Sequence, residues 1–258
     1  MKVVILCGGR GTRMEADTAS VPKPMVEIGG RPILWHIMML YSTHGFREFI
    51  LCLGYRGYLI KEYFSHYFLH MSDVTIDIMN RTTQIHSTTS APWKVTLVDT
   101  GPETMTGGRL RRIRRYIGSE PFMMTYGDGI GDIDLRGLAD FFRRGKRRAV
   151  VTVCQSAGRF GVLDIQRNGR VRSFMEKPRG DASWINAGFF VLDPSVFSYI
   201  TRGDETVWER EPLERLAGDG QLLAYRHTGF WKCMDTPREK AELDALWNTK
   251  KPPWKIWE

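Results

Sequence analysis

Long apolar runs are missing from this chain of 258 residues. Its most apolar stretch, Ile33 to Tyr41, contains His36 and is far too short to span a bilayer. At the N-terminus, glycine and arginine interrupt the apolar residues before they reach the length of a signal peptide. The sequence therefore predicts a soluble, cytoplasmic protein with no membrane partner.

Paired cysteines and metal-ligand spacings are also missing. The four cysteines are far apart and form no C-x-x-C pair, which argues against a zinc knuckle or a redox dithiol and favours the reducing cytosol. Among the six histidines, His66 and His70 are four residues apart, a spacing that favours a helix surface or a subunit contact over zinc. The cysteines are Cys7, Cys52, Cys154 and Cys233.

Acidic residues are fewer than basic ones, 29 against 37, which gives a formal net charge of +8. Such a balance favours anionic partners, either phosphorylated small molecules or nucleic acid. Arginines cluster over Arg109–Arg115 and Arg143–Arg148, and the alternative is that both clusters are solvated helix faces. Charge alone leaves these interpretations open.

Hydrophobic periodicity in the first half alternates between strand and helix patterns. This alternation predicts an α/β fold with a mixed, mostly parallel sheet flanked by helices. Strands are predicted at Val3–Leu6, Phe49–Leu53, Val95–Val98, Phe122–Tyr126 and Ala149–Cys154. Helices are predicted at Pro32–Tyr41, Gly57–Phe68, Gly107–Tyr116, Leu135–Arg144, Trp208–Ala217 and Arg238–Trp247.

The second half has a different pattern. Strand-like segments at Val162–Ile165, Val171–Glu176 and Trp184–Leu192 are separated by turn signals, of which Asn168-Gly169 favours a hairpin packed over one end of the sheet. The polar, Thr-rich segment Met71–Pro92 is expected to be a long loop.

A glycine-rich loop follows the first strand, with Gly8, Gly9 and Gly11 leading to Thr12-Arg13. Glycines let backbone N–H groups approach a phosphate or a base edge, and arginine can neutralise a triphosphate. The spacing matches neither the dinucleotide-binding nor the P-loop pattern. Taken alone, the loop could equally be a turn.

Lys23 follows within Pro22-Lys23-Pro24-Met25, where the flanking prolines hold the backbone extended. This context favours a presented ammonium group, and the alternative is a solvated lysine.

Together these motifs resemble those of the sugar-1-phosphate nucleotidyltransferases, in particular the branch that uses CTP. The likeness extends over nearly the whole chain, as far as the closing Pro253–Glu258. Its further segments are Pro24–Gly30, Tyr67–Asp73, Met105–Leu110, Thr125–Gly129, Gly229–Trp231 and Met234–Thr236.

The resemblance implies a single Rossmann-like, GT-A-like nucleotidyltransferase domain over residues 1–258, with a small sugar-binding β appendage. Residues 1–155 are expected mainly to bind nucleotide, and residues 156–258 mainly to bind the sugar phosphate. The implied reaction joins CMP from CTP to glucose 1-phosphate in a homo-oligomer such as a hexamer. Another nucleotide (dTTP or UTP) or another sugar phosphate is the nearest alternative, and a nucleic-acid-binding protein or a silent sugar-nucleotide sensor are the more distant ones.

Nucleotidyl transfer joins two anions, so it depends on charge neutralisation and alignment, which magnesium and cationic side chains supply. Asp128 follows a strand between two glycines, and the resemblance implies that Asp128 and Asp235 hold Mg2+. A turn aspartate and a helix N-cap are their respective alternatives. Arg13, Lys23 and Asp128 are the expected catalytic residues.

The resemblance also assigns the binding residues. Arg109 has a surface-arginine alternative, and Asn186 has the alternative of capping its own backbone. Nucleotide binding is expected from Leu6, Gly8, Gly9, Gly11, Thr12, Arg13, Lys23, Thr106, Arg109 and Gly127. Sugar phosphate binding is expected from Glu176, Lys177, Asn186 and Gly188.

The sequence departs from the family pattern at Arg10, where an apolar or shorter residue is common, and around Ala16–Val21 and Arg81–Ala91. Cytosine needs a hydrogen-bond acceptor for its amino group. A backbone carbonyl near Leu6–Gly8 or Glu103–Thr106 could supply one without any signature in residue type.

Overall fold

The structure is a computed structural model that describes residues 1–14, 20–157, 162–165, 171–175 and 179–257, with side chains described except at positions 13 and 156–183. Its strands are β1 (Val3–Cys7), β2 (Glu27–Ile28), β3 (Arg31–Pro32), β4 (Glu48–Leu53), β5 (Ser72–Asp77), β6 (Thr82–Thr88), β7 (Lys94–Asp99), β8 (Phe122–Tyr126), β9 (Gly129–Gly131), β10 (Ala149–Ala157), β11 (Val162–Ile165), β12 (Val171–Met175), β13 (Arg179–Leu192), β14 (Leu222–His227) and β15 (Trp231–Cys233). Its α-helices are α1 (Ile33–Thr43), α2 (Gly57–His70), α3 (Thr106–Arg112), α4 (Arg114–Ile117), α5 (Leu135–Gly145), α6 (Glu211–Gly218) and α7 (Pro237–Asn248).

The central sheet has seven strands in the order β14-β10-β13-β8-β1-β4-β7. Strand β1 pairs in parallel with both β4 and β8, and the predicted mostly parallel α/β sheet is confirmed. Strand β13 runs antiparallel to β8 and β10, so Trp184–Leu192 belongs to the central sheet rather than to an appendage.

Both faces of this sheet are buried, which explains why β1 has no polar residue. Successive side chains of a strand point to opposite faces. Ile5 and Cys7 accordingly join one apolar core and Leu6 joins the other. Helices α1, α5 and α7 contribute to the first core, and α3, α4 and α6 to the second. The layers therefore follow a helix–sheet–helix order.

Three further sequence predictions need correction. The expected loop Met71–Pro92 contains the antiparallel hairpin β5–β6. The helix predicted at Gly107–Tyr116 is divided at Ile113 into α3 and α4. The helix predicted from Trp208 begins only at Glu211, because Pro212 fits the first turn of a helix, where no N–H is needed. The predicted hairpin between Val162–Ile165 and the following strand is confirmed as β11–β12.

A short ribbon, β9 with β15, lies at the carboxyl end of β8. Its antiparallel register pairs Cys233 with Gly129, and the Met234 N–H donates to the Asp128 carbonyl at 2.9 Å. The ribbon therefore brings together two segments that are more than a hundred residues apart in the chain. Within the described residues, no helix combines the length and hydropathy that crossing a bilayer requires.

Candidate functional site

A cavity of about 330 Å³ opens where β1 and β8 end. Parallel strands bring their carboxyl ends to one edge of the sheet, which is where ligand crevices of open α/β sheets form. Eleven of the residues that the sequence nominated line it: Leu6, Gly8, Gly9, Gly11, Thr12, Lys23, Thr106, Arg109, Gly127, Asp128 and Asp235.

The structure does not describe every nominated residue. Glu176 and Lys177 fall outside the described residues. Arg13 belongs to the short 3-10 turn Thr12–Met14, and its side chain is likewise outside the description. The departure at Arg10 is an exposed side chain that forms an ion pair with Glu103.

The glycines of the first loop serve different needs. A side chain at Gly8 would overlap the guanidinium of Arg109, so close packing demands glycine at that position. Gly9 faces open space, and Gly11 has a φ of +65°, a left-handed conformation that favours glycine. The loop is therefore packed on one side and open on the other.

Arg109 is buried, and its guanidinium donates hydrogen bonds to backbone carbonyls and to one hydroxyl. One nitrogen, Nη1, donates to the carbonyls of Leu53 and Gly101, at 3.0 and 2.7 Å, and to the Thr100 hydroxyl at 2.8 Å. The other, Nη2, donates to the Gly8 carbonyl at 3.0 Å. Burial lowers the pKa of Arg109. Its geometry indicates a role in holding strand ends and the glycine loop, and direct contact with a nucleotide stays a prediction.

Lys23 bridges the two carboxylates that the sequence nominated for metal. Its Nζ lies 2.6 Å from Asp128 Oδ2 and 2.5 Å from Asp235 Oδ1. Burial by itself lowers the pKa of Lys23, but the two carboxylates raise it by more, and the pKa is raised overall. The lysine is therefore a fixed positive charge at the centre of the cavity wall.

Local structure fixes each of these three side chains. Lys23 begins the 3-10 turn Lys23–Met25 after an extended Pro22, so the extended backbone predicted at Lys23 itself is wrong. Asp128 occupies the turn from β8 into β9, and Asp235 follows β15. The Asp235 N–H donates to Glu239 Oε2 at 2.8 Å.

Helix α7 begins at Pro237, two residues after this aspartate. The Thr236 side chain accepts a hydrogen bond from the Glu239 N–H as its N-cap. Thr236 rather than Asp235 is therefore the N-cap, and the helix-cap interpretation of Asp235 is wrong.

The donor set at this position fits a magnesium ion. Among the described residues, no three histidine, cysteine, aspartate or glutamate side chains form a cluster that could hold a metal by themselves. Asp128 and Asp235 both form ion pairs with one cation, the Lys23 ammonium. Mg2+ is commonly bound in a similar way, through one or two carboxylates plus substrate phosphates.

Asn186 and Gly188 lie beside the cavity, behind Tyr126. Asn186 Oδ1 accepts a hydrogen bond from the Gly188 N–H at 2.7 Å, which is the backbone-capping arrangement. Gly188 has a φ of +81°, and a Cβ there would lie 2.6 Å from the Tyr126 ring. Trp231 Nε1 donates to the carbonyl of Ala187 at 2.8 Å, linking this segment to the β9–β15 ribbon.

Sequence reasoning missed Tyr126 and Glu209 as site residues. The Tyr126 phenol donates to Glu209 Oε1 at 2.5 Å, and the Thr106 hydroxyl donates to Glu209 Oε2 at 2.6 Å. Burial raises the pKa of Tyr126, and the Glu209 carboxylate raises it further, so the phenol stays a donor. No local pattern marks this contact, because Glu209 is 83 residues from Tyr126 and 103 residues from Thr106.

Comparison with known proteins identifies the family of this chain. The family model for nucleotidyl transferases matches residues 2–232. The chain is 55% identical to the glucose-1-phosphate cytidylyltransferase of Salmonella typhi and 44% identical to a probable glucose-1-phosphate cytidylyltransferase of Bacillus subtilis, over the full length of each pair.

A solved structure shares the fold. The crystal structure of HddC from Yersinia pseudotuberculosis complexed with GMP-PN has a TM-score of 0.69 at 22% identity, covering 95% of this chain and 99% of that one. The resemblance predicted from the motifs is confirmed, and the chain belongs to the nucleotidyl transferase family.

Proposed function

We propose that the chain transfers CMP from CTP to glucose 1-phosphate, forming CDP-glucose and pyrophosphate. The observation that carries this proposal is the cavity in which Lys23 joins Asp128 and Asp235 beside the glycine loop. The relative from Salmonella typhi, whose name gives this activity, is 55% identical over its full length and supports the choice of CTP and glucose 1-phosphate.

In the proposed reaction, an oxygen of the sugar phosphate attacks the α-phosphorus of CTP. The bond from that phosphorus to the oxygen bridging to the β-phosphate breaks, and the electron pair leaves with pyrophosphate. Neither step needs a protein nucleophile, so the protein contributes alignment and positive charge.

The residues of the cavity have separate tasks in this proposal. The glycine loop receives the triphosphate through its backbone N–H groups, and Arg13 and Lys23 neutralise its charge. Asp128 and Asp235 would hold Mg2+, which supplies further neutralisation and polarises the phosphoryl oxygens. Leu6, Thr12, Thr106, Arg109 and Gly127 complete the proposed nucleotide site.

The acceptor, the sugar 1-phosphate, is proposed to bind on the side of Tyr126 where Asn186 and Gly188 lie. Lys177 and Glu176 are the proposed contacts to the sugar phosphate, and Asn186 and Gly188 those to the sugar hydroxyls. An asparagine amide offers both a donor and an acceptor, which suits the edge of a hexose. The proposed assembly is a homo-oligomer, as the resemblance implies.

Pyrophosphate release measured over a set of nucleotides and sugar phosphates, with and without Mg2+, tests the proposal. CTP with glucose 1-phosphate and Mg2+ is expected to give the highest kcat/KM. Faster release with dTTP or UTP, or with another hexose phosphate, would assign different substrates. Salt-sensitive nucleic-acid binding with no pyrophosphate release would contradict the proposed reaction altogether.

Replacement of Asp128 tests the site itself. Asp128→Ala is expected to lower kcat by about 10³-fold with folding retained. The variant would lack one of the two carboxylates proposed to hold Mg2+, so the negative charge of both reactants would be less well neutralised. Asp140→Ala, at an exposed position on α5, is the matched control and is expected to keep wild-type turnover. Near-normal turnover of Asp128→Ala would rule out the assigned site.

A further inference from the structure

Glu209 occupies the segment before α6, at the rim of the cavity. Each of its carboxylate oxygens accepts a hydrogen bond, one from the Tyr126 phenol at 2.5 Å and one from the Thr106 hydroxyl at 2.6 Å. Both donor residues line the cavity, whereas Glu209 itself does not. Both carboxylate oxygens of this exposed side chain are therefore engaged by residues that line the cavity.

One of these partners belongs to the proposed nucleotide side. Thr106 is the first residue of α3, and its hydroxyl oxygen also accepts from the Trp208 N–H at 2.9 Å. The N–H groups of Gly107 and Gly108 donate to the Thr206 carbonyl at 2.9 and 3.2 Å. The segment before α6 is therefore bound to the start of α3 by backbone as well as side-chain hydrogen bonds.

The other partner belongs to the proposed acceptor side. Tyr126 ends β8, two residues before Asp128. Its ring occupies the space where a side chain at Gly188 would project, and the Gly188 N–H donates to Asn186 Oδ1 at 2.7 Å. A continuous chain of contacts thus runs from Asn186 through Gly188, Tyr126 and Glu209 to Thr106.

We propose that Glu209 is a positioning residue for nucleotidyl transfer, which fixes the wall of the acceptor site relative to the start of α3. In-line attack depends on the separation and angle of the two reactants, and small misplacements are costly in rate. Glu209 acts through Tyr126 and Thr106, because both of its oxygens are already engaged and its charge would repel phosphates. The inference rests on the function proposed above.

Two substitutions at Glu209 and one at Tyr126 test it in the full-length protein. Glu209→Ala removes both acceptors and is expected to lower kcat on the order of 10-fold, the effect of losing hydrogen bonds to a charged group, while the KM values for CTP and glucose 1-phosphate change by less than about threefold. Glu209→Gln keeps one acceptor oxygen and should fall between Glu209→Ala and the wild type. Tyr126→Phe examines the same bond from its other end.

The double variant separates positioning from independent effects. Glu209→Ala with Tyr126→Phe should be no slower than Glu209→Ala alone by more than about threefold, since both changes remove one shared hydrogen bond. Multiplicative losses would overturn the proposal. Thermal unfolding of each variant identifies any loss that comes from misfolding, and Tyr126→Phe remains informative if Glu209→Ala does not fold.

Glu205→Gln is the matched control, because it removes an equal charge from an exposed position in the same segment. An equal loss in this control would attribute the effect to charge and overturn the proposal. So would an unchanged kcat with a raised KM for glucose 1-phosphate, which would indicate direct contact with the sugar. If the wild-type protein released no pyrophosphate from CTP and glucose 1-phosphate, the proposed function would fail instead.

Discussion

At the scale of single residues, Lys23 would compete with a metal ion for the carboxylates of Asp128 and Asp235. Its ammonium lies within 2.6 Å of oxygens from both Asp128 and Asp235. A second cation cannot approach the same oxygens without repulsion from the first, and unit charges a few ångströms apart near a protein surface interact by several kcal/mol. Metal binding at the proposed site would therefore be coupled to the charge of Lys23.

This coupling predicts that Lys23→Met binds metal more tightly when no nucleotide is present. Titration calorimetry with Mn2+ should show an affinity raised by about tenfold or more over the wild type. The variant should also be less stable without metal, by roughly 2 kcal/mol, because two partly buried carboxylates lose their partner. Lys61→Met, at an exposed position on α2, should leave both properties unchanged. Equal or weaker Mn2+ binding by Lys23→Met would contradict the coupling.

Arg109 is a buried cation whose hydrogen-bond acceptors are mainly backbone carbonyls. Its guanidinium satisfies the ends of two strands and the glycine loop, at Leu53, Gly101 and Gly8. Arg109→Met is expected to destabilise the fold by about 3 kcal/mol, because several buried carbonyl groups would lose their donors. Urea unfolding measures this change.

Arg111→Met replaces an exposed arginine on the same helix and should shift stability by less than about 0.5 kcal/mol. A comparably small change for Arg109→Met would mean that the guanidinium is dispensable for the fold. Its predicted role as a nucleotide contact would then gain weight.

At the scale of elements, α1 is tied to the C-terminal segment through a buried histidine. His36 is fully buried, and the rings of Trp247 and Trp254 lie 4.8 and 6.2 Å from it between centroids. His36 Nε2 lies 2.9 Å from the Ile28 carbonyl, which requires the neutral ring to carry its proton on that nitrogen. Burial lowers the pKa of His36 to about 4.

The sign of the resulting pH dependence follows from linkage. Between about pH 6.5 and pH 4, the unfolded chain binds a proton at His36 that the folded chain does not, so stability is full above this window and falls as the pH is lowered through it. The loss amounts to roughly 3 kcal/mol. Urea unfolding at several pH values gives the free energy of unfolding as a function of pH. Between pH 4 and 6.5, this free energy should change less steeply with pH for His36→Gln than for the wild type. Exposed His70→Gln is the control, and an unchanged slope in His36→Gln would refute the assignment.

Elements with strong periodicity could be predicted from the sequence, and those that depend on distant pairing could not. Strand β1 and helix α1 are marked by apolar patterns that local chemistry dictates. Strand β9 has three residues, two of them glycine, and forms only because β15 pairs with it. The reversed direction of β13 has no periodicity of its own, since a buried strand has the same pattern either way.

The candidate site divides in the same manner. Gly8 and Lys23 could be predicted, because glycine runs and a lysine between prolines are local signals. Glu209 could not be predicted as a site residue, because it falls inside the helix predicted at Trp208–Ala217. In the structure that helix begins two residues after Glu209, at Glu211. Its function depends on contacts across the fold, which only the assembled structure brings together.

At the scale of the whole molecule, the cavity draws on both ends of the chain. Residues from Leu6 to Asp235 line it, and the sheet that supports it includes strands from both predicted halves. We therefore expect residues 1–258 to unfold in one cooperative transition, as the single-domain prediction requires. Ligands of the cavity should stabilise the whole chain rather than one half.

Thermal unfolding with CTP and Mg2+ measures this stabilisation. At a ligand concentration of about 100 times Kd, binding contributes roughly 2.7 kcal/mol, which corresponds to a rise in Tm of about 5–10 °C for a chain of this size. Asp128→Ala should lose the part of the shift that depends on Mg2+, whereas Asp140→Ala should retain it. Two separate transitions, of which CTP moved only one, would show that the halves fold independently and that the nucleotide binds within a single half.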